Sequence, residues 1–170
     1  TKIHVIDSLS AGGEVDLIVR KLNHLVAEGL DFDQVVDGIT AYQAKTKLLF
    51  VLAKVDNLVK NGRLSKLIGT VVGLLNIRMV GEASKTGTLE LLQKARGQKK
   101  AIKAAFDELL KAGYVGGHIT IAHRNNEKFI EQFSELVREK FAQASIEVLP
   151  TSGLCSFYAE EGGLLMGYEI

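Results

Sequence analysis

Apolar residues along the chain recur with two different periods, and the two periods alternate. Between Val15 and Val26 the apolar side chains fall three or four residues apart, which predicts an amphipathic helix. The segment 47–53 is instead an almost continuous apolar run, which predicts a strand buried on both faces. Segments 77–83 and 88–94 predict two further strands, which a turn containing Gly87 joins as a hairpin.

The same alternation continues to the C-terminus. Segment 98–111 and the stretch after Asn125 have helical spacing. Segments 118–123, 146–149 and 163–168 predict strands, as does the group Ile3, Val5 and Ile6 near the N-terminus. This order predicts one α/β domain over residues 1–170, with a mixed β-sheet and helices packed on it in two layers.

The segment 65–75 has an unusual composition for a helix. Only Ser65, Lys66 and Thr70 are polar in it. A helix that lies on one core keeps a polar face for water, and this segment has almost none. We therefore expect a helix that is covered on two sides, by its own sheet and by a ligand, a protein partner or a second copy of the chain.

Composition and charge exclude several classes of partner. Hydrophobic residues make up 46% of the chain and charged residues 24%, with a net charge of +1, so no nucleic-acid-binding surface is expected. No apolar run reaches the ~18 residues of a membrane span. The single cysteine, Cys155, excludes an internal disulfide framework and favours a cytoplasmic protein.

Motifs for metal, nucleotide or nucleophilic catalysis are missing from the sequence. The four histidines have no metal-binding spacing, and the glycine pairs match no phosphate-binding loop. No serine has the context of a hydrolase nucleophile. We therefore predict no catalytic residue, no metal site and no cofactor.

Arg78 is the charge with the clearest potential for binding. It lies inside the predicted strand 77–83, directly after the apolar segment, and alternation places it on the face opposite Ile77 and Met79. A cation beside an apolar slot suits a ligand with a carboxylate head and an apolar tail. An outward-facing arginine on an edge strand is the structural alternative.

These residues resemble the DegV family. The resemblance is carried by Asp7-Ser8, by the run LVKNGRLSKLIGTVVGLLNIRMV over 58–80, and by the Lys-Ala-Arg-Gly sequence at 94–97 before a lysine-rich helix. Their order and spacing cover most of the chain. The resemblance is to the C-terminal domain alone, and it implies that the N-terminal domain, whose Thr and Ser residues grip the ligand head group, is absent from this chain.

The function implied by the resemblance is that of a bacterial fatty-acid-binding protein. Such a protein holds one long-chain fatty acid and presents its carboxylate to a fatty acid kinase, which forms the acyl-phosphate. The binding protein is then a co-substrate and not an enzyme, its ligand is the fatty acid, and its partner is the kinase.

The sequence departs from the family pattern at two places. The proline that follows the basic residue of the family's Ile-Lys-Pro strand is replaced by Met79, and a family histidine near the C-terminus is replaced by Tyr158. A tyrosine donates a hydrogen bond to a carboxylate but carries no positive charge. We predict Arg78 and Tyr158 as head-group residues. The predicted tail-lining residues are Leu67, Ile68, Val71, Val72, Leu75 and Leu164.

Two other functions fit the same sequence. The first is a protein-interaction or regulatory domain that uses the apolar helix 65–75 as a docking surface, for a partner or for self-association. The second is an enzyme that binds a small phosphorylated substrate between Arg63 and Arg78.

Overall fold

The structure is a computed structural model that describes residues 1–64 and 76–170. Its helices are α1 (Gly12–Ala27), α2 (Phe32–Gln43), α3 (Asp56–Lys60), α4 (Gln98–Lys111), α5 (Glu127–Lys140) and α6 (Gly153–Ala159). Its strands are β1 (Thr46–Leu52), β2 (Ile77–Ala83), β3 (Leu89–Arg96), β4 (His118–His123), β5 (Ser145–Pro150) and β6 (Leu164–Glu169).

The strands form one sheet in the order β3-β2-β1-β6-β4-β5. The β4 and β5 strands pair in parallel, and every other neighbouring pair is antiparallel. The predicted α/β class and mixed sheet are therefore confirmed. The apolar run 47–53 gives the central strand β1, which is buried along nearly its whole length because helices cover both faces of the sheet.

The sheet has a core on each face. Leu49 and Val51 of β1 point to one side, where they pack with Phe129, Phe133 and Leu109 of the α4 and α5 helices. Phe50 and Leu52 of β1 point to the other side and pack with Leu58 of α3 and Ala159 of α6. The α1 helix also lies on this second side. In the part of the chain that the structure describes, helices therefore lie on both faces of the sheet, which gives three layers instead of the predicted two.

Close backbone contact holds α1 on the second face of the sheet. A Cβ added to Gly13 would lie 2.1 Å from the carbonyl oxygen of Thr120, and a Cβ added to Gly167 would lie 2.2 Å from the amide nitrogen of Glu14. Only glycine fits at both positions. The buried Glu14 carboxylate accepts hydrogen bonds from the hydroxyls of Ser10 and Thr46, so its polar atoms are paired inside the protein.

The predicted first strand is not formed. Among the residues described, none pairs with Ile3, Val5 or Ile6, and the Ile3 and Val5 side chains are 83% and 82% exposed. Alternation of apolar residues produces a strand only when a neighbouring strand accepts its hydrogen bonds. The α6 helix, in turn, occupies a stretch for which the sequence predicted no helix.

Candidate functional site: an apolar groove on the second face of the sheet

A groove of about 560 Å³ lies on the second face of the sheet. Its floor consists of Leu48, Phe50 and Leu52, which are every second residue of the central strand, together with Leu165 of β6. The groove therefore runs along β1, roughly parallel to the strand. An apolar floor of this shape suits an extended, unbranched apolar chain.

At the Leu52 end, the groove passes between the turn that follows α3 and the α6 helix. Gly62 and Arg63 line it from the turn, and Leu154, Cys155 and Tyr158 line it from the helix. The guanidinium carbon of Arg63 lies 6.0 Å from the centroid of the Tyr158 ring. Within the described residues, this end thus combines one cation and one phenol with apolar walls, and we call it the Arg63 end.

Hydrogen bonds fix the two elements of the Arg63 end relative to each other. The Asn57 amide nitrogen donates to Oε1 of Glu160 at 2.9 Å, and Asn57 Nδ2 donates to the carbonyl oxygen of Phe157 at 2.8 Å. Both bonds join the first turn of α3 to the end of α6. Asn57 and Glu160 therefore help to fix the relative position of the two elements that carry Arg63 and Tyr158.

At the Leu48 end, the groove meets the turn between β2 and β3 and the segment that precedes α1. Thr86, Gly87 and Thr88 line it from the turn, and residues 7–11 line it from the other segment. Asp7 places a carboxylate at this end. The two ends of the groove therefore differ in charge, with a cation at one and an anion at the other.

The structure places Tyr158 in the groove but Arg78 outside it. Arg78 pairs across the sheet with Ala95, which belongs to the core under α4, so its side chain leaves the face opposite the groove. The strand register therefore places Arg78 away from the groove, and its predicted head-group role stays a prediction. Arg63, which the sequence suggested only as a clamp for phosphate, is the arginine that lines the groove.

The Arg78 side chain has an unusual environment. Its Nε and Nη1 atoms are buried, and neither has a hydrogen-bond partner in the part of the chain that the structure describes. A Cβ added to Gly162 would lie 3.7 Å from Nη1, so the guanidinium abuts the turn before β6. Desolvation by burial lowers the pKa of Arg78.

The predicted tail-lining residues fall into two groups. Leu67, Ile68, Val71, Val72 and Leu75 lie outside the described residues, as does the proposed docking helix 65–75. Leu164 is fully buried in the core under α4 and α5, on the face opposite the groove. Its neighbour Leu165 lines the groove instead, because successive residues of a strand point to opposite faces.

Sequence reasoning missed most of the groove floor. The sequence identifies Leu48, Phe50 and Leu52 only as parts of a buried strand. Their signal was present, since a strand that is apolar at every position must face two apolar environments. The sequence did not reveal which of these environments contains a cavity.

The described residues contain neither a metal-binding cluster nor a membrane-spanning helix. No group of three or more His, Cys, Asp or Glu side chains within residues 1–64 and 76–170 is arranged to hold a metal ion. In the same ranges, none of the helices has the length and apolar character needed to cross a membrane.

The fold and the groove define a class of protein, namely an α/β domain that carries a ligand-sized groove on its sheet. The family model described as "Uncharacterised protein, DegV family" matches residues 1–168, and the chain belongs to the DegV family. The resemblance based on the motifs is therefore confirmed.

Relatives of known sequence and structure agree with this assignment. A DegV domain-containing protein of Streptococcus pneumoniae is 79% identical over 170 residues, which is 100% of this chain and 60% of that protein. The chain therefore spans about three fifths of the length of the curated relatives it matches.

Solved structures of relatives match the whole fold. The Fatty Acid Kinase (Fak) B3 protein of Streptococcus pneumoniae, crystallised with linoleic acid, has a TM-score of 0.98 at 79% identity, over 100% of this chain and 60% of that one. A DegV family protein from Eubacterium eligens, crystallised with heptadecanoic acid, has a TM-score of 0.95 at 36% identity, over 99% of this chain and 61% of that one.

Proposed function

We propose that this chain binds the tail of a long-chain fatty acid in the groove along β1, with the carboxylate at the Arg63 end. The observation that carries the proposal is the groove itself, about 560 Å³ with a floor of Leu48, Phe50, Leu52 and Leu165. Its volume lies within the roughly 300–1,000 Å³ of small-molecule sites.

The energetics of an acyl chain suit such a site. Each buried CH₂ contributes about 0.8 kcal/mol, so the tail of palmitate gains roughly 12 kcal/mol before the cost of ordering the ligand. Tight binding therefore needs few polar contacts at the head group. A site of this kind consists largely of leucine and phenylalanine side chains.

Charge determines the orientation of the ligand. Arg63 attracts a carboxylate, and the hydroxyl of Tyr158 is a hydrogen-bond donor on the same end of the groove. Asp7 at the opposite end repels it. A fatty acid that enters the groove therefore has its methyl end toward the β2–β3 turn.

We further propose that the protein presents this carboxylate to a fatty acid kinase in the cytoplasm, as a carrier and co-substrate. The relative named Fatty Acid Kinase (Fak) B3 supports the partner, and the two relatives crystallised with fatty acids support the ligand. The remaining head-group contacts are proposed to come from an N-terminal domain outside these 170 residues, since the relatives are longer than this chain.

The proposal is tested on the full-length protein. Native mass spectrometry after gentle purification is expected to show one fatty acid per protein, and added palmitate or oleate is expected to bind the delipidated protein. The free thiol of Cys155 supplies a local readout because it lines the Arg63 end. Palmitate is expected to slow its reaction with a maleimide, with Cys155→Ser as the blank. Failure to detect any fatty acid, bound or added, would overturn the proposal.

A further inference from the structure

At the Leu48 end of the groove, two segments that are distant in sequence contact each other. Gly87, in the turn between β2 and β3, faces Leu9, in the segment before α1. A Cβ added to Gly87 would lie 3.3 Å from the carbonyl oxygen of Leu9 and 3.4 Å from its Cα. The two backbones therefore meet closely, and a side chain on Gly87 would require Leu9 to shift by a few tenths of an ångström.

Both residues of this contact have left-handed backbone conformations. The φ angle of Gly87 is 73°, which glycine adopts freely, and that of Leu9 is 51°, which costs a leucine energy. A strained conformation persists only where the surroundings enforce it, and such residues concentrate at binding sites. The strained Leu9 lines the groove.

The polar groups around this contact are paired with one another. The hydroxyl of Ser84 accepts from the amide nitrogens of Thr86 and Thr88, at 3.2 and 3.1 Å. On the other side, the Leu9 amide nitrogen donates to the Asp7 carboxylate at 3.2 Å. These bonds stiffen both turns, so the end of the groove is a formed polar wall and not a loose loop.

We propose that the Gly87–Leu9 contact is an end stop that sets the longest acyl chain the groove accepts. The inference rests on the proposed function, because it concerns the tail of the same ligand. A methylene that passes the wall would leave the apolar floor and meet paired polar groups, so it gains no burial energy. A fatty acid whose acyl chain is too long would instead have its head group displaced from Arg63.

Ala83 is a suitable position for testing the end stop by mutation. It is the last residue of β2, it pairs with Leu89 at the start of β3, and its side chain lines the groove beside the turn. Ala83→Leu adds bulk inside the groove and moves the effective end toward Leu48. Leu9→Gly does the opposite, since it removes a side chain from the wall and relieves the left-handed strain.

The experiment compares the affinities of laurate, myristate, palmitate and stearate for the full-length protein. With Ala83→Leu, stearate is expected to lose about fourfold in affinity for each excluded methylene, while laurate stays near its wild-type affinity. With Leu9→Gly, the preference is expected to move toward longer acids. Val115→Ala changes a residue that is 72% exposed and lies outside the groove, so it serves as the matched control.

The outcomes separate the end stop from the function on which it rests. If the wild-type protein binds none of the four acids, the proposed function fails. If it binds them but both variants change all four affinities by one common factor, the end stop is overturned while the binding function stands. Leu9→Gly alters an exposed segment, so it keeps the test decisive if Ala83→Leu does not fold.

Discussion

The guanidinium carbon of Arg63 lies 6.0 Å from the ring centroid of Tyr158, and both side chains line the same end of the groove. At this distance a cation and an aromatic face attract each other weakly, by about 0.5–1 kcal/mol at an exposed site. The contact holds the Arg63 charge near the phenol. Each residue can therefore be tested for a separate contribution to head-group binding.

Replacing Arg63 by methionine is expected to weaken palmitate binding about tenfold, because a charge-assisted hydrogen bond contributes about 1.5 kcal/mol or more. Arg63→Lys keeps the charge and is expected to recover part of the loss. Titration calorimetry measures both. The control is Arg138→Met, which removes an exposed arginine from α5, a helix on the other face of the sheet. Equal losses for the Arg63 and Arg138 variants would contradict the role of Arg63.

Tyr158→His is expected to make fatty-acid binding depend on pH. An imidazole titrates near pH ~6.5, and its protonated form attracts a carboxylate, so affinity is expected to rise as the pH falls from about 7.5 to about 5.5. Tyr158→Phe keeps the ring without a titratable group. If the phenylalanine and wild-type proteins show the same pH dependence as the histidine variant, Tyr158 does not face the head group.

Arg78→Met is expected to leave fatty-acid affinity unchanged and to stabilise the fold by about 1 kcal/mol. Buried donors without partners cost about 1–3 kcal/mol, and Nε and Nη1 of Arg78 have none among the described residues. Urea denaturation compares this variant with Arg78→Lys, which keeps a buried cation and is expected to gain nothing. A marked loss of palmitate affinity in Arg78→Met would restore Arg78 as a head-group residue.

Glu108→Gln is expected to reduce stability at neutral pH and much less in acid. Burial by itself raises the pKa of Glu108, but hydrogen bonds from Lys111 and Gln93 outweigh it and lower the pKa below its ordinary value of 4.5. A lowered pKa stabilises the fold above pH 4.5, and this gain disappears as the pH falls through the folded-state pKa.

The expected loss for Glu108→Gln at pH ~7 is about 1 kcal/mol, since the Lys111 partner is exposed to solvent. Urea denaturation at pH ~7 and pH ~3 measures the difference, which should shrink at the lower pH. A loss of the same size at both values would show that the carboxylate charge is not involved.

Gly13→Ala is expected to destabilise the protein by about 3 kcal/mol or more, because the new methyl group meets the Thr120 carbonyl oxygen and α1 must move away from the sheet. Gly38→Ala is the matched control in α2. Its methyl group would meet only the flexible end of the Leu25 side chain, at 3.0 Å. Alanine also favours the helix there, so a change within about 1 kcal/mol is expected.

The fold was largely predictable because its signals are local. Runs such as 77–83 and 98–111 fixed the strand β2 and the helix α4 at their observed bounds. The missed elements depend on tertiary contacts. The residues Ile3 to Ile6 have a strand's alternation but no strand to pair with, and α6 is a short helix whose end is joined to α3 by the side chain of Asn57.

An apolar groove was expected from the sequence, but only part of its lining was. Tyr158, which the family motif suggested, lines the groove, whereas Arg78 and Leu164 lie on the opposite face of the sheet. Strand alternation shows that Leu164 and Leu165 face opposite sides, but it does not show which side holds the cavity. That choice depends on where α3 and α6 leave the sheet uncovered, which is a property of the packed protein.

Successive residues of β6 have different roles because their side chains point to opposite faces of the sheet. Leu164, Met166 and Tyr168 belong to the core that supports the sheet, and Leu165 meets the proposed ligand. A substitution at Leu165 can therefore alter ligand preference while the supporting core stays intact. Related proteins could diversify their ligands through such positions at little risk to folding, and a designer could use Leu48, Phe50 and Leu165 in the same way.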